Sequence, residues 1–216
     1  MIPGVDVGGG DRRIDWPGLK AAGVQFAYVK VTEGVTGKDP DAVANAAGAR
    51  AAGIVVGCYH FLRALTDPID QAEAFIARIR EIGGCQLPPV TDVEWCGDDD
   101  DWKLLKIWQR RNLISVHLLH MQKSGFEPGV YAGASFTDED LGGDFPMAAS
   151  PWLWVADAAP TRVQLRQPKL PRPWQTAHIW QWGSRPAGSV GSGLDADYWM
   201  LSPEALVDAV KDVPTP

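Results

Sequence analysis

The sequence predicts an α/β chain folded as an irregular parallel β/α barrel, a TIM-like ring of eight strands with some helices missing in its second half. The first observation behind this is a recurring unit of helix, glycine and strand. Leu19-Lys20-Ala21-Ala22-Gly23 leads into the apolar run 24–31, Ala49-Arg50-Ala51-Ala52-Gly53 leads into 54–61, and Lys123-Ser124-Gly125 shortly precedes Gly129-Val130-Tyr131. A glycine just past a helical stretch is the usual left-handed cap, and a short β-rich run behind it reads as a strand buried on both faces. The second is the set of helix starts Asp39-Pro40, Asp67-Pro68 and Ser202-Pro203, each an acceptor side chain at the N-cap with proline in the first turn. The third is size: 216 residues suit one domain at the short end for such a barrel, here 1–212 with a tail at 213–216.

Taken in order, the predicted elements are strand 3–7, helix 15–22, strand 25–31, helix 40–52, strand 54–60, helix 68–82, strand 89–94, helix 102–124, strand 129–132, a short helix near 136–141, and strands 152–157, 177–182 and 194–198, with helix 203–211 last. Behind Pro68, Ile69, Ala72, Phe75, Ile76, Ile79 and Ile82 fall at helical spacing and give one core-facing side. Leu104, Leu105, Trp108, Ile114, Leu118 and Met121 suggest one long helix ending near Gly125. No helical pattern separates the last strands. Residues 160–173 read as a basic, proline-rich loop, and the acidic run 98–101 as a solvated loop capping the next helix.

Composition narrows the function. A net charge of −7 and a pI near 5.0 disfavour nucleic acid and anionic membranes, both of which are bound through clustered Lys and Arg. No segment approaches the roughly 18 apolar residues of a membrane span, so no membrane insertion is expected. The N-terminal residues lack the basic and apolar regions of a secretory signal. Cys58, Cys85 and Cys96 give no disulfide framework and read as free thiols. Ten tryptophans are many for this length; such residues fill cores and also line grooves that hold sugar rings.

In a parallel barrel the chemistry sits at the C-terminal ends of the strands. Those ends carry Asp6, Lys30 with Thr32-Glu33-Gly34, Tyr59-His60-Phe61, Asp92-Val93-Glu94, Tyr131, Trp180-Gln181-Trp182, and Asp195 with Asp197. Asp92 and Glu94 stand two apart on an apolar strand, so their side chains leave one face with Cα atoms roughly 6.6 Å apart. Buried carboxylates need a partner or a task. One reading is an acid/base or nucleophile/acid pair, in which crowding keeps one proton on; the other is an ion pair with Lys30 or an Arg. His60 reads as a hydrogen-bonded residue of the rim or core. His117 and His120 have no supporting ligand at metal spacing. Neither a phosphate loop nor a nucleophile elbow is present.

With these residues in view, the chain resembles the glycoside hydrolase family 25 lysozymes. The stretches that carry the resemblance are Gly4-Val5-Asp6-Val7, Ile14-Asp15-Trp16, Phe26 to Gly34, Asp39-Pro40, Gly57-Cys58-Tyr59-His60-Phe61, Gln71-Ala72, Asp92-Val93-Glu94, Val130-Tyr131, Trp152 to Ala156, Ile179-Trp180-Gln181-Trp182 and Leu194-Asp195. The resemblance implies an incomplete eight-stranded β/α barrel that hydrolyses the β-1,4 bond between N-acetylmuramic acid and N-acetylglucosamine in peptidoglycan. It implies Glu94 as general acid/base, Asp92 as its partner, and Asp6 and Asp195 as further acidic residues. Tyr59, Tyr131, Gln181 and Trp182 match groove residues, and Glu33 and Trp154 join them as expected substrate contacts. Gly8-Gly9-Gly10, Thr91 and Asp157-Ala158-Ala159 depart from the family pattern. No cofactor and no metal are implied, and the expected partner is the peptidoglycan glycan strand, met by a monomer. A chain of this kind without a signal fits a phage endolysin, held in the host cytoplasm until release to the wall. The alternatives are a glycan-binding module on the same barrel with catalysis lost, and a cleaver of the peptide part of peptidoglycan, which calls for zinc or a Cys/His pair.

Overall fold

The computed structural model describes residues 1–11, 13–97, 101–146, 152–158, 167–185 and 188–211. Its elements in chain order are β1 (Ile2–Val7), α1 (Trp16–Ala21), β2 (Phe26–Glu33), β3 (Gly37–Lys38), α2 (Ala42–Ala51), β4 (Val55–Phe61), α3 (Pro68–Glu81), β5 (Val90–Asp92), α4 (Ile107–Lys123), β6 (Gly129–Gly133), α5 (Ala134–Asp140), β7 (Leu153–Ala156), β8 (Ile179–Ser184), β9 (Asp195–Trp199) and α6 (Pro203–Lys211). A 3-10 turn at Asp101–Leu104 precedes α4. Residues 98–100 of the acidic run, 160–166 of the proline-rich loop and the tail 213–216 lie outside the described residues.

Eight strands close a ring in the order β1-β2-β4-β5-β6-β7-β8-β9, with β9 returning to β1 and the two-residue β3 paired to β2 as an outlying hairpin. From β1 to β8 every pairing in the ring is parallel, whereas β9 runs antiparallel to both β8 and β1. Connection length explains the reversal. Parallel neighbours need a crossover of a dozen or more residues, usually through a helix; only residues 185–194 link β8 to β9, with no helix among those described.

The helix ends follow the local chemistry. The Asp15 carboxylate accepts the Gly18 N–H at 3.0 Å, and Asp67 accepts those of Ile69 and Asp70 at 2.8 and 3.1 Å. Gly23, Gly53 and Gly125, which follow α1, α2 and α4, take φ of 94°, 71° and 88°, the left-handed conformation expected of them. The helix predicted over 102–124 is interrupted. Trp102 is fully buried, its ring edge-on to Phe136 at 5.4 Å and its Nε1 donating to the Glu94 carbonyl at 2.9 Å. The chain turns tightly to place it, extends at Lys106 and restarts, with Gln109 Oε1 accepting the Lys106 N–H at 2.9 Å. Leu104 and Trp108, expected on the core face, are consequently exposed.

The barrel interior holds Phe26, Tyr28, Val90, Tyr131, Trp154, Ile179 and Trp199, and Leu206 of α6 packs against the same group. Alternate positions of the strands, such as Ala27, Val29 and Val31, belong to a separate cluster shared with the helices. Six of the ten tryptophans are buried, so most of the tryptophan content is core. Cys58, Cys85 and Cys96 form no disulfide. His60 is fully buried on the helix side of β4. Its Nδ1 lies 2.8 Å from Thr32 Oγ1, its Nε2 3.3 Å from Gln71 Oε1, and its ring stacks on His117 at 5.2 Å. His120 Nε2 meets Glu73 at 2.5 Å. Both histidines flagged on α4 therefore serve helix packing.

Gly57 is a close-approach glycine. A Cβ there would lie 2.4 Å from Cε1 of Tyr28, whose hydroxyl is anchored by donating to the Pro88 carbonyl at 3.0 Å. Gly57→Ala is expected to destabilise the fold by about 1–3 kcal/mol, the usual cost of overpacking. Urea unfolding should show a lower midpoint at unchanged m-value.

Candidate active site

At the C-terminal rim, Asp6, Tyr59, Asp92, Glu94, Tyr131, Trp154, Gln181 and Asp195 line one cavity of about 320 Å³. Strand register brings them there. Asp92, Tyr131 and Trp154 are direct partners across β5, β6 and β7, so they form one row. Gln181 pairs with Asp197 across β8 and β9, and Asp195 pairs with Asp6 across β9 and β1. Asp92 ends β5, and Glu94 stands two residues beyond it, past the predicted strand's shorter actual end. The Val93 N–H donates to the Tyr131 carbonyl at 2.9 Å and carries the extended backbone one step further, while Trp102 holds the Glu94 carbonyl.

Trp154 is the floor. It is nearly fully buried, and Tyr59 and Tyr131 meet it edge-on at centroid distances of 5.9 and 4.8 Å. A directed chain of hydrogen bonds crosses the cavity. Tyr131 donates to Gln181 Oε1 at 2.7 Å, and Gln181 Nε2 donates to Asp6 Oδ2 at 2.9 Å. Burial raises both tyrosine hydroxyls well above their ordinary range, with the surrounding carboxylates adding to it, so both are donors.

The carboxyl groups are strongly perturbed. Burial first, then the proximity of Asp195, lifts Asp6 to about 7 against the opposing hydrogen bond from Gln181. Burial lifts Glu94 to about 7, while Lys30 opposes and Asp195 adds. Asp92 is raised well above the carboxylate range by burial and then by Glu94, and its Oδ1 has no hydrogen-bond partner among the described residues. Asp195, more open, is raised by burial and held down in part by the Ser184 hydroxyl at 3.1 Å. Lys30 makes its ion pair with Glu33 at 2.7 Å rather than with Asp92 or Glu94, so the pair is not a structural salt bridge with it. Two neighbouring carboxyl groups, one with an oxygen unpartnered among the described residues and one with a pKa near 7, suit acid/base work at a sugar acetal.

Eight of the ten expected site residues thus meet in one cavity. Glu33 stands instead in a neighbouring cleft, bound by Lys30 and Arg63. Trp182 stacks on Tyr198 at 6.0 Å, outside the cavity lining. Sequence reasoning places Asp197 at the rim beside Asp195 but gives it no role in the site. It is 1 % exposed, accepts from Trp154 Nε1 at 2.8 Å, and faces Asp6 closely enough for the two carboxyls to interact. Its signal was available, since Asp197 stands two positions from Asp195 and so on the same face of a strand.

The profile of glycosyl hydrolases family 25 matches residues 5–189. Lysozyme M1 of Streptomyces globisporus is 31 % identical over 203 residues, 91 % of this chain, and the chain spans 65 % of that protein's length. The bacterial lysozyme from Streptomyces coelicolor superposes with a TM-score of 0.85 at 28 % identity, covering 98 % of this chain and 97 % of that one. The muramidase from Trichobolus zukalii does so with 0.83 at 27 % identity, covering 98 % and 99 %.

Burial and the facing Asp6 raise Asp197 well above its ordinary 3.8. A carboxyl so shifted keeps in the fold a proton that the unfolded chain gives up, so its contribution to stability is present at low pH and is lost as pH rises from 3.8 towards the folded value. Asn keeps an acceptor for Trp154 and an N–H for Asp6 without titrating. Asp197→Asn should melt near the parent temperature at about pH 3, below the ordinary carboxylate range. The variant should melt progressively higher than the parent as pH approaches neutrality, as read by thermal unfolding across that range.

Proposed function

Since the chain belongs to glycosyl hydrolases family 25, we propose that it is a muramidase acting on the peptidoglycan glycan strand of the bacterial cell wall as a monomer. The bond cleaved is the β-1,4 linkage between N-acetylmuramic acid and N-acetylglucosamine. The observation that carries this reading is the placement of Glu94, held near neutrality, beside Asp92 in a cavity floored by Trp154.

Glu94 is the general acid/base. With its pKa lifted to about 7 it holds a proton at the start of the reaction, gives it to the leaving glycosidic oxygen, and then takes one from the attacking water. Asp92 Oδ1, unpartnered among the described residues, is offered to the amide N–H of the muramoyl 2-acetamido group. That contact turns the acetamido oxygen towards the anomeric carbon, the substrate-assisted variant of the two-carboxylate scheme. Tyr131, Gln181 and Asp6 form a relay with fixed donor direction, which orients Asp6 as an acceptor for a sugar hydroxyl. Asp195, at the open lip, adds negative charge facing the developing oxocarbenium ion.

Glu94→Gln should lower kcat by about 10²–10⁴, the range for losing a general acid, with unchanged thermal stability or a modest gain. The parent's kcat/KM should fall as pH rises through about 7, where Glu94 loses the proton it must donate. The defining assay is a digest of purified peptidoglycan, reduced with borohydride and analysed by mass. Reduced muramic acid at the new ends is expected. Reduced glucosamine would move the cleaved bond, and no new sugar ends would overturn the muramidase reading in favour of glycan binding or peptide cleavage.

A further inference from the structure

Beside the carboxylate cavity lies a larger cleft, about 570 Å³, walled by the β2–β3 hairpin and the strand ends next to it. The two are separated by very little. Lys30 and Tyr59 are direct partners across β2 and β4, Tyr59 facing the carboxylates and Lys30 the cleft. Gly8 passes over both, so close that a Cβ on it would stand 3.3 Å from Lys30 Cβ and 3.4 Å from the Tyr59 hydroxyl.

The chemistry of the cleft is opposite to that of its neighbour. Lys30 and Arg63 converge on the single carboxylate of Glu33, Lys30 Nζ at 2.7 Å from Oε2 and Arg63 Nε at 2.9 Å from Oε1. Both cations also lie over the Phe61 ring, at 4.8 and 5.3 Å from its centroid, which fixes their stems. Two cations on one carboxylate leave a positive charge in excess. On the opposite side Lys38 is matched by Glu81, and Asp39 turns its carboxylate to the backbone N–H groups of Gly9 and Asp41. The three ions of the Lys30–Glu33–Arg63 triad are 23 %, 32 % and 34 % exposed, open to an incoming ligand. The charged side chains lining the cleft, Lys30, Lys38 and Arg63 against Glu33 and Asp39, leave one net positive charge, and its excess sits at the triad, one partition away from the reaction centre, on a chain of net charge −7.

We propose that this cleft binds the anionic peptide stem of the muramoyl residue being cleaved, with the Lys30–Glu33–Arg63 triad receiving a stem carboxylate. The proposal rests on the muramidase reading above. The argument is one of chemistry and reach. A muramic acid ring held at Glu94 carries its lactyl peptide on O3, two ring carbons from the anomeric centre, so the peptide must leave the cavity through an adjoining opening. A neutral N-acetylhexosamine gains nothing from a preorganised cation pair, whereas a peptide ending in or carrying free carboxylates does. The exposed turn between β2 and β3, with Thr36 at its tip, forms the outer lip along which such a peptide would run.

The test compares two substrates: intact peptidoglycan, and the same glycan strands freed of peptide by an amidase. Arg63→Ala should lower kcat/KM on the intact polymer by about fivefold, the scale of a partly exposed ion pair, and leave the peptide-free strands unaffected. Arg63→Lys should recover most of the loss, and the difference should shrink at high salt. Thr36→Glu, at an exposed turn where folding is not at stake, places an anion on the lip and should penalise the intact polymer alone. Equal losses on both substrates would assign the cleft to glycan and overturn the proposal, as would no loss on either. Failure of the parent itself to release reducing ends from either polymer would instead overturn the muramidase reading.

Discussion

The direction of β9 governs the rim of this barrel. Seven strands arrive by parallel pairing, each with its C-terminal end on the same side. The last is a short return, and its antiparallel pairing with β8 and β1 closes the ring without another helix. Because it runs the other way, its first residues, not its last, reach the functional rim. Asp195 and Asp197 are placed there, opposite Asp6 and Gln181. A parallel eighth strand with the same sequence would have sent both carboxyls to the far end, and the charge density that perturbs Asp6 would not exist.

That density is tolerated because aromatic packing under it is firm. Trp154 touches Tyr28, Tyr59 and Tyr131, and its indole N–H neutralises one oxygen of Asp197. One side chain thus serves the core and the site together. The hydrophobic interior supplies the low polarity that raises the carboxyl pKa values, and the hydrogen bonds from Trp154 and Gln181 keep the cost from becoming prohibitive. Structural burial and chemical tuning are here the same physical quantity.

Much of this was legible in the amino-acid order, for identifiable reasons. Gly23, Gly53 and Gly125 marked helix ends because only a left-handed cap explains glycine there, and the Asp67-Pro68 start was equally unambiguous. Asp92 and Glu94 stood out because charges on an apolar strand are rare. Glu33 lines the neighbouring cleft rather than the carboxylate cavity, because position at a strand end does not reveal which neighbour claims a carboxylate; Lys30 of β2 and Arg63, just past β4, hold it there. The long helix was read through Trp102 because periodicity does not register a side chain that must turn inward against Phe136 and the Glu94 carbonyl. Strand β9 read as one more β segment, and only the shortness of its connection encoded its direction.

The formal charge of −7 treats every carboxylate as ionised. In the fold, Asp92 and Asp197 are held well above the carboxylate range, and Asp6 and Glu94 titrate at about 7. Folding at neutral pH is therefore accompanied by proton uptake, and the native molecule is less anionic than its composition states. For a protein whose proposed target is a polymer bearing free carboxylates, that uptake softens the mutual repulsion at first approach. The same burial that prepares the site for proton transfer also adjusts the long-range field under which the two surfaces meet.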